Sequence, residues 1–95
     1  MTAYLLARIE VTDPEKYKGY IAATPGIIEK FGGRFIVRGG DKVTLEGPEE
    51  TYRVVLLEFP SFEQAQAFYN SPEYQAAKKL REGAATGQFI ILDGV

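Results

Sequence analysis

The chain has 95 residues and a formal net charge of -2 at pH 7, and it contains no cysteine and no histidine. Its length predicts one domain over residues 1–95; the missing cysteine excludes disulfides and iron–sulfur clusters, and the missing histidine removes the commonest general base and zinc ligand. The acidic balance argues against a nucleic-acid partner. Because no apolar run approaches a ~18-residue membrane span and no secretory signal is visible, we expect a cytoplasmic protein that does not bind membranes.

The first third of the chain predicts a strand followed by a helix. Residues 4–11 have an apolar side chain at every odd position, which is typical of a strand with one buried face. Asp13 and Pro14 form a strong helix start, with Asp13 as the cap and Pro14 in the first turn. Apolar residues then recur at helical spacing until Gly32, the expected left-handed cap. Pro25 and Gly26 interrupt this pattern, so we expect a kink or a break there.

The next strand follows two glycines. Residues Arg34 to Arg38 alternate in a way that places Phe35 and Val37 on one face and Ile36 on the other. Two further glycines release the chain from this strand.

A long connection then leads to the most apolar strand. Residues 39–51 exceed what a tight hairpin needs, and within them residues 42–46 could form an extended arm. Residues 52–59 predict the third strand.

The last third predicts helices and a final strand. Ser61, with Gln64 three residues later, forms a capping box, and Ser71 restarts the helix before Gly83 ends it. Residues 88–92 form the last strand. The order β-α-β-β-α-β predicts a ferredoxin-like α+β fold, in which both helical regions cover one face of a four-stranded antiparallel sheet.

The other face of that sheet would be left exposed. If one set of strand residues meets the helices, the alternate set points away from them, and eight members of that set are large and apolar or aromatic: Tyr4, Leu6, Ile36, Tyr52, Val54, Leu56, Ile90 and Leu92. A monomer rarely exposes such a patch, and the chain has no further segment to cover it. We therefore expect a homodimer in which two copies pack sheet to sheet.

Four short, spaced blocks of the sequence resemble the sequence pattern of a known protein family. They are Asp13–Tyr17, Phe31–Gly40, Leu57–Ser61 and Asn70–Gln75. In order and spacing they resemble a small bacterial family known as domain of unknown function 1330, over essentially the whole chain. The resemblance implies a dimeric α/β barrel of two ferredoxin-like protomers and supplies no reaction. Phe68–Tyr69 stands where the family often has Trp-Tyr.

The arginines indicate where a ligand could bind. Four of the five fall in predicted strands, and a guanidinium grips a carboxylate or phosphate at two points. Arg38, Tyr74 and Arg81 are the candidate residues for binding a small anionic molecule, with Glu58 as a candidate catalytic base. The alternative interpretation is that these side chains only form ion pairs and hydroxyl contacts that hold a dimer rim and a helix in register.

Other features point to structure rather than chemistry. Tyr17 and Tyr20 fit core packing, the paired glycines match no phosphate-binding fingerprint, and no loop has calcium-site spacing. We expect no cofactor and no metal. An RNA-binding domain of the same topology needs stacking aromatic residues in the middle of its central strands, where this chain has aliphatic ones.

Two functions stay open at this point. The first is a homodimeric module that binds a small molecule or serves a structural role. The second is a cofactor-free enzyme, similar to an oxygenase or isomerase, acting on a small anionic or aromatic metabolite near Arg38.

Overall fold

A computed structural model describes residues 2–95. The strands are β1 (Ala3–Val11), β2 (Arg34–Arg38), β3 (Arg53–Phe59) and β4 (Ala85–Asp93). The helices are α1 (Pro14–Lys30), α2 (Phe62–Asn70) and α3 (Pro72–Lys79). No helix in this part of the chain is long and apolar enough to cross a membrane.

The four strands form one antiparallel sheet in the order β2-β3-β1-β4. This order, with the helices on one face, confirms the predicted ferredoxin-like α+β fold. The second helical region is divided at Ser71, whose side chain accepts a hydrogen bond from the backbone N–H of Tyr74 at 3.1 Å and donates one to the carbonyl of Phe68 at 2.7 Å. One buried serine therefore ends α2 and begins α3.

Helix α1 is continuous across Pro25, so the expected break is absent, while the expected kink stays a prediction. The buried residues of the helix are Tyr17, Tyr20, Thr24 and Ile28, which recur at intervals of three and four. They keep a single face against the sheet on both sides of Pro25. An interior proline removes a hydrogen bond and crowds the preceding turn, and the helix continues past it with the same face buried.

Strand β2 contains a bulge, which corrects the predicted alternation of its side chains. Phe35 pairs with Leu57, whereas Val37 pairs with Leu56 and Arg38 with Val55. Since residues directly opposite one another point to the same face, the extra residue sends Val37 to the open face and Arg38 to the helix face. The expected grouping of Val37 with Phe35 is wrong for this reason.

The core lies between the helices and the inner face of the sheet. Its fully buried aromatic members are Phe59, Phe68 and Tyr74, whose rings contact one another at centroid distances of 5.1 and 4.9 Å. The odd-numbered residues of β1 and β3 complete it, as the sequence predicts.

The open face of the sheet is apolar at its centre and carries paired charges. Leu6 pairs with Leu56 on one side and Ile90 on the other. Arg8 binds both carboxylate oxygens of Glu50, which ties the long β2–β3 connection to the central strand. The predicted arm at residues 42–46 has no strand partner, and its apolar side chains Val43 and Leu45 are exposed.

Candidate ligand-binding site

A cavity of about 50 Å³ lies between α1 and the inner face of the sheet. A water molecule needs about 10–15 Å³ measured in this way, so the cavity accommodates a few atoms besides hydrogen without rearrangement. Its wall is mostly aliphatic and aromatic, and its polar or charged members are Tyr17, Tyr20, Thr24, Arg38, Arg53 and Tyr74.

Two arginines contribute the charge of this site. The bulge in β2 turns Arg38 toward the helix side of the sheet, where its guanidinium lies 4.1 Å from the centroid of the Phe35 ring. Arg53 begins β3 opposite Ile9, and its Nε is buried without a hydrogen-bond partner. Neither arginine forms an ion pair within residues 2–95.

Gly39 allows the Arg53 side chain to occupy its position. A Cβ built at Gly39 would lie 2.3 Å from Arg53 Nη1, and the glycine has a φ of +70°. The glycine that ends β2 therefore serves both a left-handed turn and a close approach of the guanidinium.

Two phenols form the second polar feature of the cavity. Tyr20 on α1 and Tyr74 on α3 are both buried, and their hydroxyl oxygens are 2.7 Å apart. Tyr17 stacks on Tyr20 with ring centroids 5.3 Å apart. Helical spacing places Tyr17, Tyr20 and Thr24 on one face of α1, and the Ser71 cap sets the start of the helix that carries Tyr74.

Arg81 lies behind this phenol pair, in the turn after α3. Its guanidinium carbon is 5.5 Å from the Tyr20 ring centroid and 4.6 Å from that of Phe89. Both rings line the cavity. Arg81 thus supports the wall of the cavity, and its Nε is buried without a hydrogen-bond partner.

Burial and the neighbouring arginines shift the pKa values of the phenols in opposite directions. Burial raises the pKa of Tyr20 far above its usual value, and the neighbouring Tyr74 raises it further, whereas Arg81 opposes the shift. Burial also raises the pKa of Tyr17, against the opposing charges of Arg53 and Arg81. Desolvation lowers the pKa of Arg81, but the phenols of Tyr74 and Tyr20 outweigh it and leave that pKa raised. At neutral pH Tyr17 and Tyr20 are therefore neutral and Arg81 is charged.

No Asp or Glu is among the cavity-lining residues of the described chain. Glu58 pairs with Arg34 across strands β3 and β2, at 2.9 Å between Arg34 Nε and Glu58 Oε1. That pair lies on the open face, on the opposite side of the sheet from the cavity. The expected grouping of Glu58 with Arg38 is therefore wrong, because alternate residues of β3 point to opposite faces.

The remaining predicted site residues lie around one cavity. Arg38 and Tyr74 line it, and Arg81 packs against two of its walls. Sequence reasoning did not select Arg53, although it is one of the strand arginines, and it treated Tyr17 and Tyr20 as core packing. The spacing of Tyr17, Tyr20 and Thr24 is the signal that could have found them, because three polar groups recur there on the buried face of an amphipathic helix.

The fold and the cavity define the protein as a ferredoxin-like α+β domain with a small internal site between helix and sheet. The family model for the domain of unknown function DUF1330 matches residues 2–95. The chain belongs to this family, as the four sequence blocks indicated. No curated protein sequence matches it significantly.

Solved structures share the same fold. A protein of unknown function from Rhodopseudomonas palustris is 23% identical, covers 99% of this chain and 82% of its own, and has a TM-score of 0.77. SnoaB, a cofactor-independent oxygenase from Streptomyces nogalater, is 12% identical, with 99% of this chain and 93% of its own covered and a TM-score of 0.69. A dimeric protein of unknown function with a ferredoxin-like fold, from Bacteroides fragilis, is 16% identical, covers 98% and 96%, and has a TM-score of 0.68.

Proposed function

We propose that the protein is a homodimeric module that binds a small anionic molecule in the cavity between α1 and the sheet. The observation that carries this proposal is the excess of positive charge at the site. Arg38 and Arg53 line the cavity and Arg81 supports it, whereas no acidic residue of the described chain lines it. A cytoplasmic location stays a prediction.

The argument for an anion depends on Arg53, because Arg38 is exposed. A partly buried guanidinium without a carboxylate partner loses hydration that nothing in the folded chain replaces. Arg53 Nε is such a group, buried and without an acceptor. A ligand carboxylate supplies both the missing charge and a bidentate acceptor. The aromatic lining favours a ligand whose remaining atoms are apolar or planar.

The open face of the sheet supports the homodimer. Leu6, Leu56 and Ile90 form an apolar row across three strands, and fully burying such a side chain is worth about 1.5–3 kcal/mol. Two ion pairs flank this row, Arg8 with Glu50 and Arg34 with Glu58. Because each pair is neutral in sum, neither pair opposes the approach of a second copy related by a two-fold axis. The Bacteroides fragilis protein with the same fold is itself dimeric.

Propionate, a small acid of a few non-hydrogen atoms, tests the anion site directly. We expect titration of the wild-type protein with propionate to raise the melting temperature, since a ligand at 100 times its Kd adds about 2.7 kcal/mol. Arg53→Met should abolish this rise while leaving the stability of the free protein equal or higher, because an uncompensated charge is removed. Lys79→Met is the matched control, since it removes an exposed cation at the end of α3. Binding that survives in Arg53→Met would refute the site.

A second candidate function is a cofactor-free enzyme, for example an oxygenase or an isomerase. Its support is the shared fold with SnoaB, together with guanidinium and phenol donors that stabilise negative charge on a bound substrate. No carboxylate of the described chain lines the cavity, so the side chains there would stabilise a substrate anion rather than act as a carboxylate base. Oxygen consumption by the protein with hydroquinones, and its loss in Arg53→Met, would favour this function; oxygen uptake equal to that of buffer would exclude the oxygenase.

A further inference from the structure

The phenol pair that lines the cavity has one hydroxyl proton that takes no part in the hydrogen bond between the two oxygens. Tyr20 and Tyr74 together carry two hydroxyl protons, and the 2.7 Å contact between their oxygens uses one of them. The other hydroxyl needs an acceptor. A buried hydroxyl that lacks one is costly, so the identity of that acceptor matters.

The charged neighbour of the pair supplies donors and no acceptor. The guanidinium of Arg81 lies against the Tyr20 ring, and the nearby phenols of Tyr74 and Tyr20 raise its pKa. A guanidinium has no acceptor atom, so Arg81 can only donate to the phenol oxygens. Tyr17 and Thr24 also line the cavity, but within residues 2–95 no hydrogen bond joins either of their hydroxyls to Tyr20 or Tyr74. The hydroxyl proton that is not shared between the two phenols therefore points to an acceptor in the cavity.

We infer that the phenol pair donates a hydrogen bond to a second oxygen of the ligand, so that the ligand is a small acid with an additional acceptor such as an oxo group. This inference rests on the proposed anion site, in which Arg38 and Arg53 hold the carboxylate. Tyr20 and Tyr74 bind the second oxygen of the ligand, which accepts their hydrogen bond. Arg81 polarises the pair from outside the cavity and acts as a positioning residue.

The experiment compares acids that differ only in an acceptor oxygen. Pyruvate, acetoacetate and levulinate place an oxo group at successive distances from the carboxylate, and propionate, butyrate and pentanoate are their counterparts of equal chain length. We expect at least one oxo acid to bind the wild-type protein roughly fivefold more tightly than its counterpart in calorimetric titration, as one added hydrogen bond allows.

The variant that tests the role of the pair is Tyr20→Phe/Tyr74→Phe. A single substitution would leave the other buried hydroxyl without its partner, whereas the double variant removes both hydroxyls. We therefore expect the double variant to fold. It should bring the oxo preference, which is the ratio of the two affinities, to about one. Tyr69→Phe is the control, because Tyr69 packs against Tyr74 at 5.0 Å without lining the cavity.

The outcomes separate this inference from the proposed function. If the unsubstituted acids bind and no oxo acid binds more tightly, the inference is wrong and the anion site stands. An oxo preference that persists in the double variant also overturns the inference. If none of the acids binds, both proposals fail.

Discussion

Arg53 shows how one side chain can reduce stability and provide a site. Its Nε is buried without an acceptor, and its guanidinium fits against the backbone of Gly39. A partly buried guanidinium with an unpartnered Nε loses hydration in the free protein. We propose that a bound anion compensates this loss, so the Arg53→Met variant should lose ligand binding while its stability stays equal or rises.

Gly39→Ala should disturb the site from the backbone. The substitution forces a positive φ on alanine, which costs about 1–2 kcal/mol, and the added Cβ would collide with Arg53 Nη1. We expect a loss of about that size in urea unfolding together with weaker carboxylate binding. Gly40→Ala is the matched control, because nothing lies within 4 Å of a Cβ at that position. Equal behaviour of the two variants would contradict the role of Gly39.

The buried phenols should make the protein sensitive to alkali. The unfolded chain releases a tyrosine proton near pH 10, whereas burial raises the pKa of Tyr20 and keeps that proton bound in the folded state. The unfolded state therefore binds fewer protons as the pH rises, and the free energy of unfolding falls above about pH 10 by up to about 1.4 kcal/mol per pH unit for this residue.

Tyr20→Phe should make this alkaline decline shallower, as measured by chemical denaturation at a series of pH values. Burial also raises the pKa of Tyr17. Part of the alkaline decline in the free energy of unfolding should therefore remain in Tyr20→Phe. An identical slope in the wild-type protein and in Tyr20→Phe would show that the Tyr20 proton is not held by the fold.

At the scale of the elements, the junction of α2 and α3 positions Tyr74. Ser71 is buried, caps α3 through the N–H of Tyr74 and donates to the last turn of α2. Ser71→Ala removes both bonds, and we expect a loss of about 1–2 kcal/mol. Calorimetric unfolding measures this loss.

Ser61→Ala provides the comparison for Ser71→Ala. Ser61 also caps a helix, accepting from the N–H of Gln64 at 3.0 Å, but it is less buried and makes one bond. We expect it to cost about 0.5–1 kcal/mol. If Ser61→Ala proves as costly as Ser71→Ala, the double role of Ser71 is unsupported.

The bulge in β2 is the element-scale feature that the sequence concealed. Alternation alone grouped Val37 with Phe35, whereas the extra residue turns Val37 toward the open face and Arg38 toward the helices. Bulges depend on how two strands pair rather than on one strand's composition. For that reason the predicted bounds of β2 were right while its side-chain directions were not.

At the scale of the whole molecule, the open face decides the assembly. Two chains of 10.6 kDa give a homodimer of about 21 kDa, and we expect that mass in sedimentation of the wild-type protein. Leu6→Glu places a charge in the middle of the face, between Leu56 and Ile90, and should shift the mass to a single chain because a buried unpaired carboxylate is costly.

Leu80→Glu is the control for this shift, since Leu80 is a 43% exposed leucine that lies after α3, away from the sheet. It should sediment like the wild-type protein. A wild-type protein of 10.6 kDa in dilute solution would refute the homodimer.

The sequence alone determined the order of strands and helices, the helix caps and the family, because these depend on local periodicity, turn residues and the spacing of short blocks. The sequence also predicted that both faces of the sheet are apolar, since strand side chains alternate with a period of two. Only the tertiary structure separated Glu58 from Arg38 and brought Arg53, Tyr20 and Tyr74 to one cavity. Those relations join distant parts of the chain, and they depend on a bulge, on the pairing of strands and on the packing of two helices, none of which leaves a local signal.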